Sequence, residues 1–302
     1  MSKNLVGIDI GGTKVLIVLL DENKVLKKRI VFPMSNTEPK KILDEIISNV
    51  KKLENISTVG VSIAGDIDSK NGILRFSPNL PKWKNVRLKK YFEEQLKVPT
   101  VVDNDANCAA YGSYIIDGQE KYKNFITVTL GTGIGGGIII DGNLYRGSTG
   151  TAGEIGHITI SPDGPKCNCE NRGCLEAHIG TKGILEMAAK SGISNKNITV
   201  KIIAHMAREG DKRALKVYEK FAEYLAVGVG SLINIFNPDM ITFSGGVSNN
   251  WDLVKKRFFS ELKKRTFKTS FEYVKIIKSK SHEDLGAIGA ALLPKMNCNP
   301  KK

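Results

Sequence analysis

The chain has 302 residues, of which 41% are hydrophobic, enough to bury the core of one large domain or of two lobes. It contains only five cysteines, which excludes a disulfide-stapled secreted domain and favours the reducing cytoplasm. The formal net charge of +14 is compatible with nucleic acid or another acidic partner, but it is spread along the chain, often as lysine pairs, which favours a solvated surface, and no nucleic-acid partner is expected. Residues 5–20 are apolar, but Asp9 and Lys14 interrupt them, which argues against a signal peptide or a membrane span.

The N-terminal segment is predicted to form a strand at 5–10, a turn and a second strand at 15–20. Glycines in the turn let backbone N–H groups approach a phosphate, and a hydroxyl and a cation follow them. Asp9 precedes the turn and is a candidate ligand of a hydrated magnesium ion. A plain hairpin with a solvated aspartate explains the segment equally well when it is taken alone. The candidate phosphate-binding turn consists of Gly11, Gly12, Thr13 and Lys14.

The next segment is predicted to contain a strand at 24–32, a helix at 39–52 and a buried strand that ends at Gly65. A glycine at the end of a strand allows a ligand to approach the backbone closely. Asn79 lies in a Pro-rich loop and offers an amide to a hydroxylated ligand, although simple turn formation is an equal alternative.

A strand at 100–102 leads into a helix that begins near Asn104 and Asp105. Aspartate at this position is commonly only a helix cap. The functional interpretation is that the helix N-terminus keeps Asp105 ionised, so that it accepts the proton of a substrate hydroxyl during phosphoryl transfer.

Residues 125–144 repeat the pattern of the first segment, with an apolar strand, a Thr- and Gly-rich turn and another apolar strand. Two related strand–turn–strand units are what two lobes closing on one polyphosphate would need. The candidate residues of the second turn are Gly131, Thr132 and Gly133.

Four potential metal ligands follow within eighteen residues. Thiolate and imidazole suit tetrahedral zinc, and four protein ligands leave no open position, so the metal would be structural. Glu154 and Glu176 flank the cluster and are candidates to face a polar ligand. The alternative is a group of ordinary reduced cysteines, but three of five cysteines within eight residues make chance clustering a poor explanation. The four candidate zinc ligands are His157, Cys167, Cys169 and Cys174.

The C-terminal half is predicted to be mainly helical, at 181–191, 200–209 and 211–236. A strand at 239–243 then leads to Gly245 and Gly246, which would let a flat ring lie against the backbone, with a plain turn as an even alternative. A last strand is predicted at 274–277, followed by a closely packing small-residue helix at 284–293.

Together, these motifs resemble the ROK family of sugar kinases and related repressors over nearly the whole chain. The resemblance rests on DIGGTK at 9–14, DNDAN at 103–107, LGTGIGGG at 130–137, the stretch 153–176 and NPDMITFSGGVS at 237–248. It implies an α/β, two-lobed, actin-like or hexokinase-type (ribonuclease H-like) fold with a duplicated βββαβα core and a zinc-bearing loop. The expected lobes are a smaller one of residues 1–113 plus 289–302 and a larger one of residues 114–288.

The resemblance further implies ATP-dependent phosphorylation of the 6-hydroxyl of a hexose, and glucose is the expected substrate. N-acetylglucosamine or N-acetylmannosamine kinase and fructokinase are the alternatives. Mg-ATP, structural zinc and a homo-oligomer, dimer or tetramer, belong to the same expectation. The sugar-binding residues it implies are Gly65, Asn79, Asn104, Asp105, Glu154, His157 and Glu176, with Asp105 as the catalytic base.

The chain departs from the family pattern at three positions. Glu170 stands where glycine is usual, Ala64 where proline is common and Ser113 where glutamate is common. These changes bear on the sugar preference more than on the reaction. The repressors carry a helix-turn-helix domain in front of the shared region, and a phosphate turn that begins near residue 9 leaves no room for one, so a repressor is disfavoured.

Overall fold

The computed structural model describes residues 3–34, 38–280 and 284–297. Its strands and helices are interspersed along the chain, as expected for an α/β protein. Within the described ranges, no helix is long and apolar enough to cross a bilayer.

The first sheet has five strands in the order β3–β2–β1–β4–β8. β1 pairs antiparallel with β2 and parallel with β4, and β4 pairs parallel with β8. The hydrophobic pattern explains why β2, β1 and β4 are the central strands of the sheet. All three are nearly continuous apolar runs, as strands covered on both faces require. The strands and helices of this part are β1 (Asn4–Ile10), β2 (Lys14–Leu20), β3 (Leu26–Pro33), α1 (Pro39–Val50), β4 (Ile56–Ile63), α2 (Leu88–Leu96), β8 (Thr100–Asn104) and α3 (Asp105–Ile116).

A second five-stranded sheet has the order β11–β10–β9–β12–β13, which repeats the order of the first. The predicted duplication is therefore present. The strands and helices that follow α3 in the chain are β9 (Phe125–Leu130), β10 (Ile134–Ile140), β11 (Asn143–Tyr145), α4 (Leu175–Ile179), α5 (Thr181–Lys190), α6 (Val200–Arg208), α7 (Lys212–Phe236), β12 (Met240–Ser244), α8 (Trp251–Lys263), α9 (Lys268–Tyr273), β13 (Lys275–Lys278) and α10 (Leu285–Asn297).

The chain divides into two compact units. Unit 1 comprises residues 1–123, 137–153 and 281–302, and unit 2 comprises residues 124–136 and 154–280. These limits differ from the expected lobe boundaries near 113 and 288. Residues 137–153 belong to unit 1 because the end of β10 packs against α3, where a methyl group on Gly137 would lie 2.4 Å from Ala110 Cβ.

The small-residue helix α10 belongs to unit 1 and packs closely, as predicted, against β1, β4 and α3. A Cβ at Gly7 of β1 would lie 1.8 Å from the carbonyl oxygen of Ala287, and one at Gly60 of β4 would lie 1.7 Å from that of Ala290. Only glycine fits at such a backbone approach. A separate buried apolar cluster joins β1, β2 and β4 to the helices α1 and α2.

Several features of the fold were not predicted, among them the short helix α4. A three-stranded sheet formed by β5 (Asp66–Asp68), β6 (Ile73–Phe76) and β7 (Lys84–Val86) lies between β4 and α2 in the chain. The short helix α9 also escaped prediction, because none of its residues is buried and it has no apolar periodicity.

Candidate active site

The predicted phosphate turn of unit 1 is a tight hairpin between β1 and β2. The Gly11 N–H donates to the Lys14 carbonyl at 3.0 Å, and the Met34 N–H donates to the Thr13 carbonyl at 2.8 Å. These bonds fix the path of the turn. Gly11, Gly12, Thr13 and Lys14 are only partly buried or exposed, so their polar groups are accessible to a ligand.

Asp9 lies on β1 just before this turn. Its Oδ1 accepts a 2.6 Å hydrogen bond from the Ser62 hydroxyl on β4, the parallel neighbour of β1. Burial raises the pKa of Asp9 to about 6; the nearby negative charges of Asp105 and Asp284 also raise it, whereas the Ser62 bond and Lys14 lower it. A cation beside Asp9, in addition to Lys14, would stabilise the ionised form of the buried carboxylate. Asp9 therefore fits the role of a magnesium ligand.

The start of α3 is a defined structure in unit 1. Asn104 is its N-cap, and its Oδ1 accepts from the N–H groups of Ala106 (2.8 Å) and Asn107 (3.4 Å). The Asn104 Nδ2 donates to the Gly65 carbonyl at 3.1 Å. Asp105 is the first residue of α3, where the helix dipole favours an ionised carboxylate. The structure therefore brings Gly65, Asn104 and Asp105 together.

Gly65 and Asn79 occupy neighbouring loops of the same unit. Gly65 has φ of +139°, and a Cβ there would lie 2.3 Å from the Phe76 carbonyl oxygen, so the turn requires glycine. A methyl group on Gly12 would lie 3.5 Å from Asn79 Cβ. Asn79 is thus next to the phosphate turn, a position that the sequence alone did not indicate.

The second glycine turn lies in unit 2, between β9 and β10. The Gly131 N–H donates to the Gly133 carbonyl at 3.0 Å, and the Thr181 hydroxyl donates to the Gly131 carbonyl at 3.0 Å. Glu176, on α4, accepts from the Ile134 N–H through Oε2 at 2.8 Å. A Cβ at Gly133 would lie 2.3 Å from that oxygen, so glycine at 133 makes room for the Glu176 carboxylate.

Gly245 lies at the same end of the second sheet. β12 is parallel to β9, and Ser244 is in register with Thr129, so the two strands end side by side. Gly245 has φ of +84°, and a Cβ there would lie 2.4 Å from the Leu130 carbonyl oxygen. The segment Gly245–Gly246 therefore lies next to the turn formed by Gly131, Thr132 and Gly133.

The four predicted zinc ligands come together in unit 2. One donor atom from each of the four side chains lies within 4.8 Å of the others. The Cys167 Sγ is 3.7 Å from His157 Nδ1, and the Cys169 Sγ is 3.6 Å from the Cys174 Sγ. Tetrahedral zinc with bonds of about 2.3 Å to sulfur needs a sulfur–sulfur spacing of about 3.8 Å. The cluster therefore has the donor types and the spacing of a zinc site.

His157 and Glu154 lie in and next to a short 3₁₀ turn at Ile155–His157. Because Nδ1 faces the cysteines, the other ring nitrogen is directed elsewhere, and it lies 3.8 Å from Glu154 Oε2. Gly156 packs on Ile134, where a Cβ would lie 2.1 Å from the carbonyl oxygen. The structure thus gathers Glu154, His157 and Glu176 around the start of β10.

Two residues of these sites were missed. Ser62 supports Asp9, and Thr181 braces the Gly131 turn. Each lies about fifty residues from its partner, and a serine in a buried strand or a threonine at the start of a helix carries no distinctive signal. Only the parallel β1–β4 register and the α4–α5 junction reveal them.

The two sheets of identical order, each with a glycine turn after its first strand, define the actin-like class of phosphotransferase folds. Residues 5–297 match the ROK family. The glucokinase of Thermotoga maritima is 31% identical, over 96% of this chain and 97% of the relative. The crystal structure of a ROK family glucokinase from Streptomyces griseus in complex with glucose and AMPPNP has a TM-score of 0.80 and 30% identity, covering 96% of this chain and 98% of that one. The ROK hexokinase of Thermus thermophilus has a TM-score of 0.85 and 25% identity, covering 98% and 100%.

The chain belongs to the ROK family. The family and the fold class predicted from its motifs are confirmed.

Proposed function

We propose that this protein is an ATP-dependent hexose kinase that phosphorylates the 6-hydroxyl, with glucose as the preferred substrate. The relatives that support this are glucokinases matched along nearly their full length, one of them a structure that holds glucose and an ATP analogue. The single observation in this chain that carries the proposal is the start of α3, where Asn104 is tied to Gly65 and Asp105 follows it at the helix N-terminus.

Asp105 is the general base that accepts the proton of the 6-hydroxyl. Phosphoryl transfer needs positioning and charge stabilisation more than covalent help from the protein. The backbone N–H groups of the two glycine turns hold phosphate oxygens, and Gly245–Gly246 lies against the adenosine. Magnesium supplies the positive charge that neutralises the phosphates, and Asp9 is the residue that would hold it.

The sugar hydroxyls are held by carboxylates, an imidazole and amides. Such groups discriminate strongly, because a sugar lacking a hydroxyl would leave them unpaired. The residues proposed for this role are Gly65, Asn79, Asn104, Asp105, Glu154, His157 and Glu176.

The test is ADP release from MgATP with glucose, mannose, fructose, N-acetylglucosamine and N-acetylmannosamine. We expect glucose to give the highest kcat/KM. 6-Deoxyglucose should bind and inhibit without releasing ADP, since it lacks the accepting hydroxyl. A preference for an N-acetylhexosamine or fructose would replace the substrate but keep the reaction, and no response to any sugar would overturn the proposal.

A matched pair of variants tests the base. Asp105→Asn keeps the shape of the side chain but cannot accept the proton, so kcat should fall by about 10²- to 10⁴-fold. Asp117→Asn changes an acid at the other end of α3, where Ser113 donates to it, and should leave kcat unchanged. Equal activity of wild type and Asp105→Asn would remove Asp105 from the mechanism.

We also propose that the four-residue cluster binds one structural zinc ion. Three thiolates and one imidazole leave no open coordination position, so the ion organises the loop that carries Glu154 and Glu176 and takes no part in the chemical step. A homo-oligomer and a cytoplasmic location stay predictions, which light scattering of the purified protein and fractionation of its cells would test.

A further inference from the structure

An ion pair in unit 1, between the buried Asp103 and the partly buried Arg146, lies next to the start of α3, which carries the proposed catalytic base. Asp103, the residue before Asn104 on β8, is 1% exposed. Its Oδ2 accepts from Arg146 Nε at 2.7 Å. Its Oδ1 accepts from the Asn104 backbone N–H at 2.8 Å and from Asn107 Nδ2 at 2.9 Å. The Asp103 carboxylate therefore accepts hydrogen bonds from Asn104 and Asn107, which lie on either side of Asp105 in the chain.

The network contains a feature that stability alone does not explain. The Oδ1 atom of Asn107 is buried and has no hydrogen-bond partner among the described residues. An orphaned buried acceptor costs roughly 1–3 kcal/mol. A buried ion pair is also weak evidence for stability, because apolar residues of similar size are often as good. The unpartnered Asn107 Oδ1 costs stability, and the Asp103–Arg146 ion pair is weak evidence of a gain. The arrangement is therefore better explained by a need to hold the start of α3 in position than by a need for stability.

Arg146 links this network to a second loop of unit 1. Its carbonyl accepts from the Ala152 N–H at 3.1 Å, which closes the loop 146–152. Gly150 in that loop has φ of +95°, and a Cβ there would lie 2.9 Å from the Ile67 carbonyl oxygen, on the strand that follows Gly65. The loop therefore rests on β5, and Asn104 is bonded to the Gly65 turn just before β5.

We propose that Asp103 and Arg146 are positioning residues. The pair fixes the start of α3 against the Gly65 turn and the loop 146–152, so that Asp105 is held at the place where it accepts the proton. This inference rests on the proposed function, in which Asp105 is the base. Neither side chain needs to touch the substrate, because the carboxylate acts through the Asn104 N–H and through Asn107.

The test compares Arg146→Met with Arg146→Lys, and uses Arg213→Met as the matched control. Arg213 forms an ion pair of the same length with Asp211 in unit 2, 2.7 Å, and also donates to the Gly192 carbonyl, so neither contact involves a proposed site residue. Arg146→Met should lower kcat about 10- to 100-fold, since a displacement of about 1 Å at a reacting group has an effect of that size. The KM for MgATP should stay within about twofold, Arg146→Lys should restore part of kcat, and Arg213→Met should keep it.

Measuring kcat below the melting temperature of each variant distinguishes a loss of stability from a displacement of Asp105. If Arg146→Met melts earlier but keeps its kcat, the pair is merely structural and the inference is overturned. Should Arg146→Met fail to fold, the milder Arg146→Lys decides by the same criterion, with a lower kcat at unchanged KM for MgATP expected.

Hydrogen exchange gives a readout that does not depend on activity. Amides of residues 103–108 should exchange faster in Arg146→Met than in Arg213→Met, and equal exchange would overturn the inference. If the wild-type chain releases no ADP with any sugar, the proposed function fails, and the exchange result alone decides whether Arg146 fixes the start of α3.

Discussion

Glu170 stands in the zinc-binding loop at a position where the family usually has glycine, and its backbone keeps the conformation that glycine favours. Its φ is +72°, in the left-handed region. That region costs a residue with a side chain about 1–2 kcal/mol, whereas glycine loses about 0.5–1 kcal/mol more conformational freedom on folding. Glu170→Gly should therefore raise the free energy of unfolding by up to about 1 kcal/mol, as measured by urea denaturation.

Glu170→Ala is the matched control. It removes the same carboxylate but keeps the Cβ, so it should not stabilise the protein. If both variants gain equally, the backbone explanation is wrong and the charge of Glu170 is responsible.

Asp9 combines a functional role with a stability cost. Its pKa in the folded chain is raised from 3.8 to about 6, chiefly by burial. A raised carboxyl pKa contributes stability below about pH 4, where the group is protonated, and that contribution is lost as the pH rises through 6. Asp9→Asn should therefore raise the free energy of unfolding by about 2–3 kcal/mol at pH 8, from roughly 1.4 kcal/mol per pKa unit.

The pH dependence is what tests this explanation. Urea denaturation in the presence of a magnesium chelator should show the gain shrinking between pH 6 and pH 4, while kinase activity is lost at every pH. A gain of equal size at pH 8 and pH 4 would mean that altered packing against Ser62, and not the charge of Asp9, is the cause.

Residues with a local signature were the ones that sequence could identify. Asp9 and Asp105 each follow or precede a recognisable strand, turn or helix start, and the cysteines stand out by number alone. Ser62 and Arg146 have no such signature, because their roles depend on which strands and loops become neighbours in the folded unit.

At the level of elements, the contact between α10 and α3 depends on the absence of a side chain. A Cβ at Gly289 would lie 1.8 Å from the backbone oxygen of Cys108. The gain in helix propensity from Gly289→Ala is only about 1 kcal/mol, and overpacking typically costs about 1–3 kcal/mol or more. Because backbone atoms cannot move aside as a side chain can, we expect a net loss of more than about 2 kcal/mol.

Gly230→Ala in α7 is the control, since its nearest neighbour would be Arg265 Cβ at 3.3 Å, a side-chain atom. Thermal unfolding should place Gly230→Ala within about 1 kcal/mol of wild type. If Gly289→Ala melts at the same temperature as Gly230→Ala, the close approach of α10 to α3 is not as tight as the structure indicates.

Long elements were predicted well and short ones were not. Apolar runs and helical periodicity located most of the strands of both five-stranded sheets and the helices α1, α5, α6, α7 and α10 within a few residues. β5, β6 and β7 have only three or four residues each, too few for a periodic pattern to develop. The limits of the two units also depend on packing between distant segments, such as Gly137 against Ala110, which no local pattern contains.

At the scale of the whole molecule, the reactivity of the cysteine thiols indicates whether zinc is bound and whether unit 1 is folded. Cys108 is buried in α3 of unit 1, and burial raises its thiol pKa well above the usual value, so it should stay unreactive while unit 1 is folded. The loop cysteines lie in unit 2, and zinc would hold them as bound thiolates. Adding a strong chelator should therefore make three more thiols per chain react with a thiol reagent.

The number of thiols distinguishes local from global change. A gain of three, with release of about one zinc ion per chain, means that the metal organises the loop and that unit 1 is folded without it. Cys167→Ser should then bind zinc more weakly and lose sugar affinity, because metal binding and the folding of the loop are coupled. If the loop thiols react at the same rate before and after chelation, no metal protects them, and the zinc proposal is wrong although the kinase proposal stands.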